Sequence, residues 1–559
     1  MRMTGAQYVL ETLKQLNVRY LFTVPGAHID PLIEATSSSG IQPVVCCHEL
    51  SAGFMADGYS RAGQTLGVVA AIGGPGAGNL VSAVNTSRIE RTPLLIITGD
   101  VPVSLQAFPA FQCAGDLGSK DDAVYAAVAK FSARILTVDA LPTMLNRAIR
   151  EAFSPPCGPA HLIIPYNLFK EMLEVPALLS ETFIPEPSDK NDADSLVSTL
   201  CDLIAGDSQT ALWVGEALNN DRSAASIVEM AEKFHLPVAT TFGAKGLIPE
   251  THPLSLGNFG YAGSSKANTA FLSGPMDAII GFDVEQNERN TLNWHPDLYA
   301  GKRILLVNFP PSFKPSGAVE THDHDPVLLV ERLHQALKTI PYSPNGRVSW
   351  LQFLTQTWPD AKQADAKRKD RIEPDILMKI LRQELPAETL FYVDSGTHRI
   401  FAGTDWQALL PRTFFSASVT APTGWAIAAG IGAKLVRKEP VVILTGDGCM
   451  QMHGIEIKTA VRYGVSVIVV LCNNGGMGNI HRRFAKISGD LAAHALITEV
   501  DWSTFVRSLG AVAMDAVDER SLQNAIRQCL RERGVTLINA RIPIDPIIDR
   551  EAHCRSAFA

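Results

Sequence analysis

The stretch from Glu439 to Gly476 constrains this chain more than any other. It reads Glu-Pro-Val-Val-Ile-Leu-Thr-Gly-Asp-Gly, then a helical pattern, then Val-Ile-Val-Val-Leu-Cys-Asn-Asn-Gly-Gly. Val441–Thr445 has the length and composition of a buried strand, and Gly446-Asp447-Gly448 forms its C-terminal turn. Ile455–Tyr463 reads as a helix closed by Gly464, and Ser466–Cys472 as the next strand. One βαβ unit with a right-handed crossover satisfies this pattern. It places Asp447 and Asn474, 27 residues apart, at the C-terminal ends of neighbouring parallel strands, where open α/β sheets bind ligands.

An acid and an amide at that edge are two hard oxygen ligands, suited to Mg²⁺. The glycines let backbone N–H groups approach a phosphate, and the helix N-terminus adds positive potential. A cation held by so few side chains completes its shell with water and substrate phosphate, so a diphosphate is expected. Gly-Asp-Gly alone also fits a plain turn. Asn473-Asn474 across one complete βαβ unit favours the metal–diphosphate reading.

The rest of the chain is consistent with a folded, ligand-binding protein. Of its 559 residues 46% are apolar and 19% charged, enough apolar surface to exclude general disorder. Forty-nine Lys and Arg against 57 Asp and Glu leave a net charge of −8, which argues against nucleic-acid or anionic-membrane partners. The nine cysteines are odd in number and contain no C-x-x-C pair, which fits neither a zinc site nor a disulfide framework. Buried reduced thiols and a cytoplasmic location are expected. Met1–Leu21 lacks a signal-peptide pattern, and no run of 18 apolar residues suggests a membrane span.

Strand-like and helix-like segments alternate throughout, as in Ala6–Leu16, Tyr20–Val24, Gly67–Ile72 and Leu94–Thr98. Pro176–Asp194 and Pro341–Asp375 read as linkers, the second containing the charge run Asp360–Arg371. The fold class expected is α/β, with three doubly wound parallel-sheet domains over residues 1–180, 190–340 and 372–559. In the central domain, Ala211–Glu216 and Met276–Val284 read as strands of a Rossmann-like unit without a G-x-G-x-x-G loop.

In the first domain, Glu49 ends an apolar strand and opens a helix of small residues. A carboxylate there can simply serve the helix N-terminus. Buried in an apolar pocket, it is also suited to sharing a proton.

Together these features resemble the thiamine-diphosphate-dependent 2-oxo acid enzymes, and most closely the FAD-independent, catabolic acetolactate synthases. Gly-Asp-Gly followed by Asn-Asn matches the family signature, and Ala56-Asp57-Gly58-Tyr59-Ser60-Arg61 matches the stretch after its glutamate. Pro25-Gly26-Ala27-His28-Ile29-Asp30 resembles an acetolactate synthase segment with His28 in place of Lys. Gly73–Asn79 resembles the loop beside the pyrimidine ring, and Phe111-Gln112 a pair near the substrate.

The resemblance spans nearly the whole chain and implies a pyrimidine-binding, a central and a diphosphate-binding domain. It implies thiamine diphosphate and Mg²⁺ as cofactors. The metal ligands would be Asp447, Asn474 and Gly476. Glu49 would activate the cofactor's own base, with His28 and Gln112 as further catalytic residues. Cofactor contacts would come from Pro25, Gly26, Pro75, Asn79, Gly396, Thr397, His398, Thr423, Gly446, Gly448, Cys449, Gly476 and Met477. Two departures stand out. Cys449 replaces the usual Ser, leaving backbone N–H contacts there. Thr423 replaces the bulky apolar residue that bends the cofactor, so either Thr423 suffices or a neighbour such as Val419 or Met477 helps. His48 and His453 are weaker candidates, and FAD is not expected.

The implied reaction decarboxylates a small-molecule 2-oxo acid and ligates the acyl unit to a second carbonyl compound. The alternatives are a decarboxylase that releases an aldehyde and a cofactor-binding scaffold without turnover. A homodimeric active unit is implied, because Glu49 and Asp447 would meet one cofactor from different chains, with a homotetramer as the expected assembly.

Overall fold

A computed structural model describes residues 2–174, 193–206, 208–308, 319–342, 345–357 and 370–546. Its three six-stranded sheets are parallel throughout. The first contains β2 (Tyr20–Thr23), β3 (Gln42–Val45), β4 (Gly67–Ala71), β5 (Leu94–Asp100), β6 (Phe131–Arg134) and β7 (Pro159–Pro165), in the order β3-β2-β4-β5-β7-β6. A two-stranded antiparallel ribbon, β1 (Arg2–Thr4) with β8 (Met172–Glu174), ties the start of this domain to its end.

The central sheet runs β11-β10-β9-β12-β13-β14, from β9 (Thr210–Val214), β10 (Val238–Thr240), β11 (Ser255–Asn258), β12 (Ala278–Phe282), β13 (Arg303–Asn308) and β14 (Val319–Asp323). That is the doubly wound order of dinucleotide-binding folds. The third sheet contains β15 (Leu390–Val393), β16 (Phe414–Phe415), β17 (Val441–Gly446), β18 (Ile468–Asn473), β19 (Val512–Ala516) and β20 (Thr536–Arg541). Its order, β16-β15-β17-β18-β20-β19, repeats that of the first sheet strand for strand.

Strands β4, β5, β7, β15, β17 and β18 are buried along their whole length. Parallel strands covered by helices on both faces read as continuous apolar runs, which is why β4, β5, β17 and β18 were legible. The helix after β17 starts earlier than the sequence pattern suggested. It runs Asp447–His453, breaks at Gly454, and resumes as Ile457–Arg462. Asp447 is therefore the first residue of a helix.

The second expected linker is partly helical. Asn345–Thr357 forms a helix that buries Trp350 and Leu354 in the central core. Arg347, 1% exposed, donates to the carbonyls of Leu203, Ile204, Gly206, Ser208 and Phe234. A guanidinium spent on backbone acceptors from two other helices leaves no local sequence pattern. The first expected linker and most of the charge run lie outside the described residues.

The first and third domains share one core cluster, running from Phe22 and Phe54 to Trp425 and Leu471. Its seam is the crossing of helices Glu49–Gly63 and Trp425–Lys434. A Cβ on Gly58 would lie 2.0 Å from the Ala429 carbonyl oxygen, and one on Gly432 would lie 2.0 Å from that of Met55. The two backbones touch, and no side chain fits between them. Gly58→Val is expected to cost about 3 kcal/mol or more in denaturant unfolding, as overpacking that backbone must move to relieve. A loss below about 0.5 kcal/mol would show that the seam opens freely.

Candidate active site

Two half-sites lie at the C-terminal edges of the first and third sheets. In the first, four adjacent strands each deliver one expected group. After β2 come Pro25, Gly26 and His28, and after β3 comes Glu49. After β4 comes the loop Gly73–Asn79, and after β5 the segment carrying Gln112. Close approaches link them. A Cβ on Gly26 would meet Ile72 at 2.6 Å, and one on Gly99 would meet the His28 Cβ at 2.5 Å. The Glu49 Oε2 accepts from the Asn79 amide at 3.0 Å, and its Oε1 lies over Gly76. Gln112, with φ of 57°, rests against Gly74. Phe111 is 84% exposed, so it is not core packing within this chain.

Glu49 is held at its position from the third domain. It is the first residue of its helix, and the His48 ring accepts the Leu50 N–H as N-cap. Buried Glu456 accepts the N–H groups of Cys47 and His48 at 3.0 Å each, and the Thr459 hydroxyl at 2.7 Å. Burial pushes the Glu456 carboxyl pKa up. Ser51 hydrogen-bonds the His453 ring at 2.9 Å, and His453 packs against Gly424 beside Thr423. Asp57 accepts from the Trp425 indole at 2.8 Å and pairs with Arg61 at 2.9 Å. Sequence reasoning missed Glu456 and the partners of Asp57. The one available signal was a carboxylate within an otherwise small, buried helix face.

In the second half-site, β15, β17 and β18 are neighbours, and a helix N-terminus follows each of them. Those helices are Thr397–Thr404, Asp447–His453 and Gly478–Ala485. Three N-termini converging at one sheet edge form a cradle for a polyanion. The loops touch: Thr397 Oγ1 donates to Asn479 at 2.9 Å, and a Cβ on Gly478 would meet Thr397 at 2.6 Å. His398 packs over Gly396 and Gly446, and burial lowers its pKa to about 3. Its Nε2 is buried without a hydrogen-bond partner among the described residues.

Asp447, 2% exposed, accepts from Asn474 N at 2.8 Å, Gly475 N at 3.1 Å and Trp502 Nε1 at 2.9 Å. Asn474 Oδ1 accepts the Gly476 N–H. The bridge to Leu496 runs through the Gly475 carbonyl and the Met477 N–H, so it does not use the Gly476 carbonyl. One carboxylate, one amide oxygen and one backbone carbonyl make a donor set that fits Mg²⁺. Among the described residues no group of three or more His, Cys, Asp or Glu is arranged to hold a metal ion by itself. Gly448 faces Met477. The Cys449 thiol donates to the Ser395 carbonyl at 3.4 Å, and burial raises its pKa well above the usual value. That leaves only its backbone toward the cradle.

Elsewhere, a cavity of about 530 Å³ opens where the three domains meet. Arg61, Glu90, Arg91, Glu216, Asp283 and Val419 line it. The Val419 backbone N–H donates to Glu90 there, and its side chain is exposed. Arg91 pairs with Asp283 at 2.7 Å and also with Glu285. Burial, with the neighbouring Glu90, pushes the Glu216 carboxyl pKa up.

Glu49 is half-buried rather than enclosed in an apolar pocket. Two α/β sheets of identical strand order, one presenting this glutamate and the other three helix N-termini with an Asp–Asn pair, have the arrangement of a cofactor-binding fold. Family comparison gives the cofactor. Residues 3–120 match the N-terminal TPP binding domain of thiamine pyrophosphate enzymes. Residues 197–314 match the central domain, and 394–540 the C-terminal TPP binding domain. The chain belongs to the thiamine pyrophosphate enzyme family. It is 26% identical to acetolactate synthase isozyme 1 large subunit of Escherichia coli, over 97% of this chain and 94% of that one. It is 25% identical to the acetolactate synthase large subunit of Haemophilus influenzae, over 99% and 96%. The fold matches a thiamine diphosphate-dependent 4-hydroxybenzoylformate decarboxylase of Rhodococcus jostii with a TM-score of 0.79, 20% identity, and coverage of 98% and 100%. The chain is thus a thiamine-diphosphate-dependent enzyme of the acetolactate synthase type. No helix among the described residues is long and apolar enough to cross a membrane.

Proposed function

We propose that this enzyme uses thiamine diphosphate and Mg²⁺ to decarboxylate a 2-oxo acid and to ligate the acyl unit to a second carbonyl compound, in the manner of acetolactate synthesis. The observation that carries the reading is the pairing of the Glu49 half-site with the three-helix cradle around Asp447. When bound, thiamine diphosphate supplies the electron sink for decarboxylation. Asp447, Asn474 and the Gly476 carbonyl would hold the metal. The N-termini at Thr397, Asp447 and Gly478, with His398 Nε2, would take the phosphates. Glu49 would share a proton with the pyrimidine ring, its carboxyl held by the Asn79 amide.

Ligation over simple protonation is supported by the histidines. Burial lowers the His28 pKa below the ordinary value, with Asp100 and Asp121 opposing, and lowers that of His453 to about 4. Burial thus disfavours the charged, proton-donating form of both rings, which supports ligation. The second reading, aldehyde release, is supported by the place of His28 after β2, at the same sheet edge as Glu49. A panel of 2-oxo acids with product identification separates the two. Ligated hydroxyketone or acetohydroxy acid is expected, and aldehyde as the sole product would sink the ligase reading.

The proposed assembly is a homodimeric active unit within a tetramer, with Glu49 and Asp447 meeting across chains. Exposed apolar side chains at both half-sites support it: Phe108, Phe111 and Leu117 on one, Met452, Met477 and Leu496 on the other. FAD is not part of the proposal. Residues Glu216–Leu218 after β9 form a 3₁₀ turn. The Glu216 carboxylate also fills the space over Gly243, 1.5 Å from where a Cβ would stand. A cytoplasmic location is part of the reading, supported by eight free cysteines among the described residues.

A further inference from the structure

We infer that Trp502 is a positioning residue for the metal-holding carboxylate: its indole N–H fixes Asp447 Oδ1 and so sets the affinity for the divalent cation. The inference rests on the metal reading above and names a residue that no part of that reading uses.

Three N–H groups surround the Asp447 carboxylate. Two are backbone, from Asn474 and Gly475, and both address Oδ2. The third is the Trp502 indole, 2.9 Å from Oδ1. An indole N–H is a donor only, so it serves the carboxylate and cannot accept from a protonated acid. Its direction is fixed by packing. Trp502 is 4% exposed, is the first residue of helix Trp502–Ser508, and meets Phe505 edge-on at 5.8 Å. The helix start is itself capped by the Asp501 carboxylate, which accepts the Thr504 N–H at 2.9 Å.

The carboxylate therefore sits between a strand-end loop and a helix 55 residues away in sequence. With both oxygens bonded, its plane is set before any ion arrives. Ligand orientation of this kind is worth roughly 10- to 100-fold in metal affinity. Of the three donors, the indole is the one a side-chain substitution can remove with the ring volume largely kept.

The test uses Mn²⁺ as a spin-visible probe on the full-length, chelator-stripped protein. Free Mn²⁺ is followed by electron paramagnetic resonance for wild type and Trp502→Phe, without substrate or turnover. Binding 10- to 100-fold weaker at unchanged stoichiometry is the expected result. Affinity within twofold of wild type overturns the inference.

Wild-type protein gives a check that no folding defect can spoil. Labelled with ¹⁵N at its seven tryptophans, it should lose at least one indole N–H signal to paramagnetic broadening as Mn²⁺ is added at one equivalent. Seven unperturbed signals overturn the inference. Asp447→Asn separates the two levels. If wild type and Asp447→Asn bind Mn²⁺ equally, the metal reading itself fails. If only Trp502→Phe matches wild type, the indole alone loses its role.

Discussion

Glu49→Gln should lower thiamine-diphosphate-dependent carbon dioxide release from 2-oxo acids by about 10²- to 10⁴-fold, the usual range for removing a positioned proton-sharing group. The amide keeps the size of the side chain and can still bond Asn79, which holds Glu49 Oε2 at 3.0 Å. It cannot share a proton. The helix start is secured independently by Glu456 on the Cys47 and His48 N–H groups, so the melting temperature should hardly move. Release is read as labelled carbon dioxide under saturating cofactor. A variant that keeps more than about a tenth of wild-type turnover would remove Glu49 from the chemistry. If neither protein releases carbon dioxide with the cofactor bound, the scaffold alternative stands.

Asp447→Asn should weaken retention of Mg²⁺ and thiamine diphosphate at least about 100-fold. The charge that attracts the cation is lost, an interaction worth several kcal/mol at a metal centre. The amide nitrogen would also face N–H donors from Asn474, Gly475 or Trp502, leaving at least one of them unpaired at roughly 1–3 kcal/mol. Isothermal titration of cofactor into protein with excess Mg²⁺ measures it. Unchanged cofactor affinity would move the diphosphate away from this sheet edge. The two substitutions test opposite half-sites: Glu49→Gln should spare cofactor retention, and Asp447→Asn should destroy it.

The placement of Asp447, Asn474 and Glu49 at strand ends was legible, because strand–helix alternation is written locally. That of His28 and Gln112 was legible for the same reason, since both follow strands of the first sheet. The helix Asn345–Thr357 was not. Its flanking Pro-Tyr-Ser-Pro-Asn-Gly reads as a connection, and its anchor is Arg347, bonded to carbonyls far away in sequence. Phe111 could be weighed as core from its type alone, and only the fold shows it exposed.

The chain by itself determined its strands, their parallel class, and the residue types at their carboxyl ends. Continuous apolar runs in the strands and a period of 3.6 in the helices act over a few residues, so local order encodes them. Tertiary structure decided the partners. Glu456 reaches Cys47 across 409 positions, Trp425 reaches Asp57 across 368, and Trp502 reaches Asp447 across 55. A buried polar group must find a hydrogen-bond partner, but which one it finds depends on how separate elements are packed together.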